Sequence, residues 1–191
     1  MPYKQKVGGS IPPPSNMEII ITEDHKYMNG DIEIPGVTTV LQDVGIINYG
    51  PFVTTGKGTR LHKIIELYRT GQLNWETISD EEIEYIQRFD QLTGKYEFAE
   101  YEKQLYNPVY HYAGTCDFSF GLWIGELKTG KPEAWHLLQL AAYCYIEKKA
   151  GVLIYPGLKR NPIREYTFPE LKEAFKHFLC ALDVYNYKRL N

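Results

Sequence analysis

The sequence has little cysteine and no long apolar run. Its 191 residues include only three cysteines, Cys116, Cys144 and Cys180, which are widely spaced and form no CxxC pair. This set excludes a disulfide framework, a zinc ribbon and an all-cysteine four-ligand iron–sulfur site, and it is typical of a reducing compartment. The uninterrupted apolar runs span only a few residues, so we predict no transmembrane helix and no membrane partner.

The first residues lack the features of a secretory signal. Lys4 and Lys6 are followed by glycines and prolines instead of an apolar stretch. We therefore expect residues 1–16 to form a flexible lead, residues 17–191 to form a single domain, and the protein to be cytoplasmic.

The overall composition is that of a folded globular protein. Hydrophobic residues make up 43% of the chain and aromatic residues 14%, which excludes disorder over most of its length. The net charge of −3 argues against a surface coated by nucleic acid, but the charges are unevenly distributed. Residues 76–102 carry nine acids and two bases, whereas residues 147–191 carry nine bases and five acids. This pattern leaves open either a basic face for a polyanion or two solvated helix faces of opposite sign.

The order of predicted elements is typical of an α/β protein with a mixed sheet. Asn29-Gly30 predicts a hairpin turn, and Thr38 or Thr39 is the expected cap of a short helix. Helices are predicted over residues 37–44, 59–70, 80–92, 132–149 and 168–187. Strands are predicted over residues 17–22, 31–34, 96–106, 109–118, 122–128 and 152–155.

Three residues in the middle of the chain carry a chemical pattern. Glu126 and Lys128 share one face of a predicted strand about 7 Å apart, and Asp117 lies near the end of the preceding strand. Two carboxylates that converge at one sheet edge repel each other unless a cation joins them, and their oxygens suit Mg²⁺ or Mn²⁺. A lysine beside such an ion is suited to phosphodiester hydrolysis. The alternative is a strand with an ordinary exposed Glu–Lys pair.

The motifs around these residues resemble the PD-(D/E)XK nuclease superfamily, and within it the RecB-like exonucleases. Gly114-Thr115-Cys116-Asp117, Gly125-Glu126-Leu127-Lys128 and Gln139-Leu140-Ala141-Ala142-Tyr143 follow one another as that family's Gly-x-x-Asp, ExK and QxxxY motifs do. Gly58-Thr59-Arg60-Leu61-His62 is similar to its helix histidine motif. The stretch Ile34-Pro35-Gly36-Val37-Thr38-Thr39-Val40-Leu41 is similar to phage-type members and mitochondrial genome maintenance exonucleases. The resemblance covers roughly residues 27 to 155. It implies a restriction-endonuclease-like core, which is a central mixed β-sheet flanked by helices, here with an N-terminal β-hairpin.

The resemblance also implies roles for individual residues. The implied metal ligands are Asp117, Glu126, the Leu127 carbonyl and an additional acid, Glu102, for which Glu100 is the alternative. His62 would be a further ligand or a phosphate contact near the second metal position. Lys128 is the implied catalytic lysine, and Gln139 and Tyr143 would position it or the DNA. For His62 and Tyr143 the alternative is simple packing.

Other residues carry weaker expectations. Lys57, Arg60 and Lys63 bracket His62, so we expect them to hold DNA phosphates at the mouth of the site. We expect His136 to lie at the surface. Trp123 and Trp135 could stack on bases, and core packing is the alternative.

These features together predict a Mg²⁺- or Mn²⁺-dependent deoxyribonuclease. The resemblance implies an exonuclease that acts on DNA ends or single strands in recombination, repair or replication, in the cytoplasm of a bacterial or phage-infected cell. A structure- or sequence-specific endonuclease and a non-cutting DNA-binding subunit remain alternatives. Loss of a metal ligand would mark the last, and Asp117, Glu126 and Lys128 are all retained. Family members with an iron–sulfur cluster carry four cysteines, so none is expected here. A homo-oligomer or a recombination or replication partner protein stays open.

Overall fold

The computed structural model describes residues 19–22, 24, 26–48, 55–97 and 99–190, which form two β-sheets and the helices packed on them. The lead predicted for residues 1–16 lies outside this range. None of the helices in the described part of the chain is long and apolar enough to cross a bilayer.

The strands divide into a small and a large sheet. The strands are β1 (Ile20–Ile21), β2 (Tyr27–Asn29), β3 (Ile32–Ile34), β4 (Glu100–Asn107), β5 (Tyr112–Phe120), β6 (Trp123–Leu127), β7 (Ala150–Ile154) and β8 (Ile163–Tyr166). The small sheet has the order β1-β2-β3 and the large sheet has the order β4-β5-β6-β7-β8. All neighbours are antiparallel except β6 and β7, which are parallel. The predicted α/β class with a central mixed sheet and an N-terminal hairpin is confirmed.

The helices connect and cover these strands. They are α1 (Val37–Asp43), α2 (Thr55–Arg69), α3 (Asp80–Thr93), α4 (Ala134–Glu147) and α5 (Lys172–Leu190), with short 3₁₀ turns at Trp75–Thr77 and Phe168–Leu171. Helix α4 joins the parallel strands β6 and β7, because two parallel neighbours need a crossover of this length. Ser79 caps α3 and forms a reciprocal capping box with Glu82, as the sequence Ser79-Asp80-Glu81-Glu82 predicts.

Several local predictions are corrected. Helix α1 is preceded by Gly36 and has no side-chain cap, so neither Thr38 nor Thr39 has the predicted capping role. Helix α2 begins at Thr55, four residues earlier than predicted. Strand β8 was not predicted; its four residues pair with β7 in an antiparallel register from Gly151↔Tyr166 to Ile154↔Ile163.

The large sheet separates two hydrophobic clusters. The α4 core lies on the side of α1, α4 and α5 and includes Ile124 and Leu153 from the sheet. The α2 core lies on the side of α2 and α3 and includes Leu127 and Val152 from the same two strands. Neighbouring strand residues therefore point to opposite cores, as the period of two requires. This alternation places Glu126 on the face of Ile124, toward α4.

Close packing across the β5–β6 pair depends on Gly125. It lies opposite Phe118, and a Cβ atom on Gly125 would lie 2.0 Å from Cε2 of the Phe118 ring. Phe118 is only 1% exposed and packs in the α2 core, so its ring has little room to move.

We therefore expect Gly125→Ala to lower the free energy of unfolding by about 1–3 kcal/mol through overpacking. Gly56→Ala is the control, since Gly56 is exposed in α2 and has no neighbour within 4 Å of an added Cβ. The control should leave stability unchanged or raise it by up to about 1 kcal/mol. Urea denaturation followed by circular dichroism measures both, and equal stabilities would contradict the packing at Phe118.

Candidate active site

The two carboxylates of the predicted site lie where β5 and β6 separate. The paired residues of these strands run from Phe120↔Trp123 to Phe118↔Gly125 and stop there. Beyond that point the Leu127 amide donates to Asp117 Oδ2 at 2.6 Å, and the Asp117 amide donates to Glu126 Oε1 at 3.3 Å. Each carboxylate thus accepts a backbone N–H that the diverging strands leave without a strand partner. This reciprocal exchange brings Asp117 and Glu126 together.

Helix α2 supplies a histidine to the first carboxylate. His62 Nδ1 lies 2.9 Å from Asp117 Oδ1. Burial lowers the pKa of His62, but the charge and hydrogen bond of Asp117 outweigh this effect and leave the pKa raised. Burial in turn opposes ionisation of Asp117, yet His62, Lys128 and the Leu127 amide hold its pKa below the usual value. Asp117 is therefore the more readily ionised member of the carboxylate pair.

Glu126 and Lys128 form a buried ion pair on the α4 side of the sheet. Lys128 Nζ lies 2.7 Å from Glu126 Oε2, and the two residues are 8% and 2% exposed respectively. Burial and the negative charge of Asp117 raise the pKa of Glu126 to about 7, although Lys128 acts in the opposite direction. The sequence alternative of an exposed Glu–Lys pair is therefore wrong.

Helix α4 holds the lysine in place. Gln139 Oε1 accepts a hydrogen bond from Lys128 Nζ at 2.5 Å, and Gln139 Nε2 donates to Thr38 Oγ1 and to the Tyr143 hydroxyl. Tyr143 packs against Gly114, where an added Cβ would lie 2.3 Å from the ring. The Gly-x-x-Asp motif thus makes room for the tyrosine of the QxxxY motif. The sequence pointed to Gln139 and Tyr143, but it assigned Thr38 only a capping role.

Of the two candidate acids on β4, Glu102 and not Glu100 lies beside Asp117 at the cleft. The β4–β5 register places Glu102 opposite Asp117, and Glu102 adopts a positive φ of 47° there. Although the residue is exposed, partial burial of its carboxyl group and the charges of Asp117 and Glu66 raise the pKa of Glu102 to about 7. Glu100 instead forms an ion pair with Lys103.

Most of these groups border one cleft of about 700 Å³, whereas Glu126 and Tyr143 lie behind its wall. Its walls include His62, Lys63 and Glu66 from α2, Asp117 and Lys128 from the sheet, and Trp135 and Gln139 from α4. Glu66 was missed by the sequence reasoning, although its spacing of four from His62 on one helix was a usable signal. Among the predicted DNA contacts, Lys63 borders the cleft and lies 2.7 Å from Glu66.

The other two predicted DNA contacts form ion pairs with α3. Arg60 donates to both oxygens of Glu82 and to the Thr77 carbonyl. Lys57 lies 3.4 Å from Glu81. A role in DNA binding for Lys57, Arg60 and Lys63 stays a prediction.

The position of His136 in α4 differs from the expectation. His136 is 3% exposed, so the predicted surface position is wrong. Its Nδ1 accepts the Glu133 amide at 3.3 Å and lies 3.0 Å from the Tyr155 hydroxyl. Trp135 is partly buried beside the cleft, with Lys128 Nζ 5.2 Å from its ring centre. Trp123 packs against the α2 core.

The carboxylate oxygens of the site are chemically suited to bind a hard divalent cation. Within the described residues, no group of three or more histidine, cysteine, aspartate and glutamate side chains is arranged as a metal site. The Asp117 amide nevertheless brings the Glu126 carboxylate to Asp117, with Glu102 across the β4–β5 ladder. Oxygen donors of this kind are the ligands that Mg²⁺ and Mn²⁺ prefer. The raised pKa of Glu126 reflects a buried negative charge that a bound cation would relieve.

Comparison with known proteins gives distant likenesses only. No protein-family model and no curated protein matches the chain. The chain is similar in structure to the alkaline exonuclease LHK-Exo from Laribacter hongkongensis, with a TM-score of 0.38 and 15% identity over 81% of this chain and 90% of that chain. For LHK-Exo in complex with dAMP the TM-score is 0.37, with 16% identity over 79% of this chain and 88% of that chain. For SSO0001 the TM-score is 0.30, with 15% identity over 75% of this chain and 83% of that chain. At these TM-scores the likeness carries no argument about the chemistry of this site.

The burial of His136 has a consequence for acid stability. Burial, together with the positive charges of Lys128 and Arg164, lowers the pKa of His136 to about 3. Between pH ~6.5 and pH ~3, His136 carries a proton in the unfolded chain but not in the folded chain. This difference lowers the stability of the folded state as the pH falls through the window.

We expect the unfolding free energy of the wild type to fall by about 1.4 kcal/mol per pH unit relative to His136→Asn in this range. Asparagine keeps a hydrogen-bond acceptor near Nδ1 but does not titrate. Urea unfolding at a series of pH values gives the two curves, which should run in parallel above pH ~7. Curves that stay parallel down to pH ~4 would contradict a buried neutral histidine.

Proposed function

We propose that this chain is a metal-dependent deoxyribonuclease of the PD-(D/E)XK superfamily, RecB-like, and that it acts as an exonuclease on DNA ends or single strands. One observation carries the proposal: Asp117, Glu126 and Lys128 are joined in one hydrogen-bonded chain, and Asp117 and Lys128 border an open cleft. An ion pair between Glu126 and Lys128 with only a structural role has no need of Asp117 beside it, because the negative charge of Asp117 opposes the ionisation of Glu126.

The surroundings of these three residues support the same proposal. The helix histidine contacts Asp117, the glutamine of the QxxxY motif accepts a hydrogen bond from Lys128, and the tyrosine accepts one from that glutamine. The four sequence motifs thus converge on one place, although they come from α2, β5, β6 and α4.

In the proposed enzyme Asp117, Glu126 and the Leu127 carbonyl would hold Mg²⁺ or Mn²⁺, with His62 and Glu102 close to a second position. The bound ion would supply Lewis acidity and a nucleophilic water for attack on phosphorus. Lys128 would stabilise the negative charge that builds on the phosphoryl oxygens. Gln139 would keep its ammonium directed at the site, since their hydrogen bond of 2.5 Å restrains a long flexible side chain.

The proposal is tested by digestion of end-labelled linear DNA and covalently closed circular DNA. An exonuclease should degrade the linear molecule in Mg²⁺ or Mn²⁺, spare the circle, and lose all activity in chelator. Rapid nicking of the circle would support an endonuclease instead. Binding without cutting of either substrate in both metals would support a non-cutting DNA-binding subunit.

The metal site can be tested without relying on activity. Calorimetric titration with Mn²⁺ should show binding to the wild type and its loss in Asp117→Asn and Glu126→Gln. Glu133→Gln is the matched control, because Glu133 also borders the cleft but hydrogen-bonds Trp135. Unchanged affinity in both site variants would remove the two carboxylates from the metal site.

We expect Lys128→Ala to separate chemistry from binding. Turnover at saturating DNA should fall by about 10²–10⁴-fold, the range for a positioned acid–base or electrostatic group. Affinity for DNA in Ca²⁺, which should occupy the site without supporting cutting, should fall by only about 1 kcal/mol. Single-turnover kinetics and fluorescence anisotropy measure the two effects. A variant that cuts at nearly the wild-type rate would leave the ExK motif with a structural role alone.

A further inference from the structure

The basic residues near the cleft differ in whether an acid neutralises them. The three bases of α2 that bracket His62 each have a carboxylate partner: Lys57 with Glu81, Arg60 with Glu82 and Lys63 with Glu66. Two bases of α5 are likewise paired, since Lys176 contacts Glu173 and Arg189 contacts Asp43. These bases contribute little net positive field, because an acid lies within 4 Å of each.

A second group of bases lacks such partners. Lys131, Lys159, Arg160 and Arg164 are exposed, and within the described residues none of them forms an ion pair with a carboxylate. We call these four residues the basic strip. Residues 156–164 contain three of them and no acid. The neighbouring Glu165 is already engaged by Lys95 and Tyr96, and Glu133 by Trp135.

The basic strip lies at the same sheet edge as Lys128. The Lys128 amide donates to the Ile154 carbonyl at the end of β7, and the Tyr155 amide donates to the Pro162 carbonyl just before β8. Lys128 is therefore two strand spacings, roughly 10 Å, from the start of β8. The loop between β7 and β8 emerges from this edge and carries Lys159 and Arg160.

Two further contacts tie the strip to the wall of the cleft. A Cβ on Gly157 would lie 3.9 Å from the Thr129 carbonyl, so the loop rests against the segment that follows Lys128. The Arg164 guanidinium lies 5.6 Å from the centre of the Tyr155 ring, and the Tyr155 hydroxyl contacts His136 in the cleft wall. Positive charge thus continues outward from Lys128 on the α4 side of the cleft.

We propose that the basic strip, and not the α2 bases, holds the phosphates of the DNA strand that leads into the cleft. This inference rests on the proposed function and adds the path of the substrate. A base without a partner gains the whole benefit of counterion release on meeting a phosphate, whereas a paired base must first give up its acid. Since the start of β8 lies roughly 10 Å from Lys128, the strip would contact the strand beyond the bond at Lys128 and not at that bond.

The test compares three double variants that each remove one lysine and one arginine. Lys159→Gln/Arg160→Gln changes the strip, Lys57→Gln/Arg60→Gln changes the α2 side, and Lys176→Gln/Arg189→Gln is the charge-matched control on α5. The probe is a fluorescein-labelled single-stranded oligonucleotide in Ca²⁺, with anisotropy measured between 50 and 200 mM salt. Turnover at saturating DNA is measured separately in Mg²⁺.

The strip variant should bind the oligonucleotide about tenfold more weakly than wild type does. In a plot of the logarithm of the binding constant against the logarithm of the salt concentration, its slope should be shallower by about 1.4, since each of the two lost phosphate contacts contributes ~0.7. Its turnover at saturation should stay near that of wild type, because the strip does not touch the reacting bond. The α5 control should bind as wild type does.

Three outcomes would overturn the inference while the wild type still cuts DNA. These are wild-type affinity in the strip variant, a larger loss in the α2 variant, and equal losses in the strip and α5 variants. If the wild type neither binds nor cuts DNA in any metal, the proposed function itself fails, and the two failures are thereby distinguished.

Discussion

The site depends on two backbone amides that lose their strand partners where β5 and β6 separate. The Leu127 amide turns to the Asp117 carboxylate and the Asp117 amide turns to the Glu126 carboxylate. Either carboxylate could move away only by leaving a largely buried N–H group unsatisfied, at a cost of about 1–3 kcal/mol. The backbone thus holds two negative charges closer together than their repulsion alone would allow.

Opposite charges from the two sides of the sheet then balance this pair. His62 reaches Asp117 from α2, and Lys128 meets Glu126 on the face toward α4. Lys128 is held in turn by Gln139, whose amide nitrogen donates to Thr38 and Tyr143. A site built in this way is pre-organised before any substrate arrives, since its charged groups are anchored on helices and strands instead of loops.

Charge outside the site is organised by pairing between elements. The acids of the first turn of α3 lie against the bases of α2, so that two segments of opposite sign neutralise each other. A count of charges along the chain cannot show this, because Arg60 and Glu82 are separated by 22 residues and meet only in the folded protein. The four bases of the basic strip have no acid partner among the described residues, and they lie in or beside loops at the edge of the large sheet.

Local sequence was sufficient for much of the framework and for the centre of the site. The capping box at Ser79, the alternation through Glu126 and Lys128, and the hairpin turn after Asn29 each follow from a few neighbouring residues, and each has the predicted form. Tertiary structure alone decided the burial of His136, the place of Thr38 behind Gln139, the pairing of β8 and the counter-charges of the α2 bases. The physical reason is that these features depend on contacts between residues far apart in the chain. Such contacts contribute to no local period or cap, and only packing of the two helical layers on the sheet brings them together.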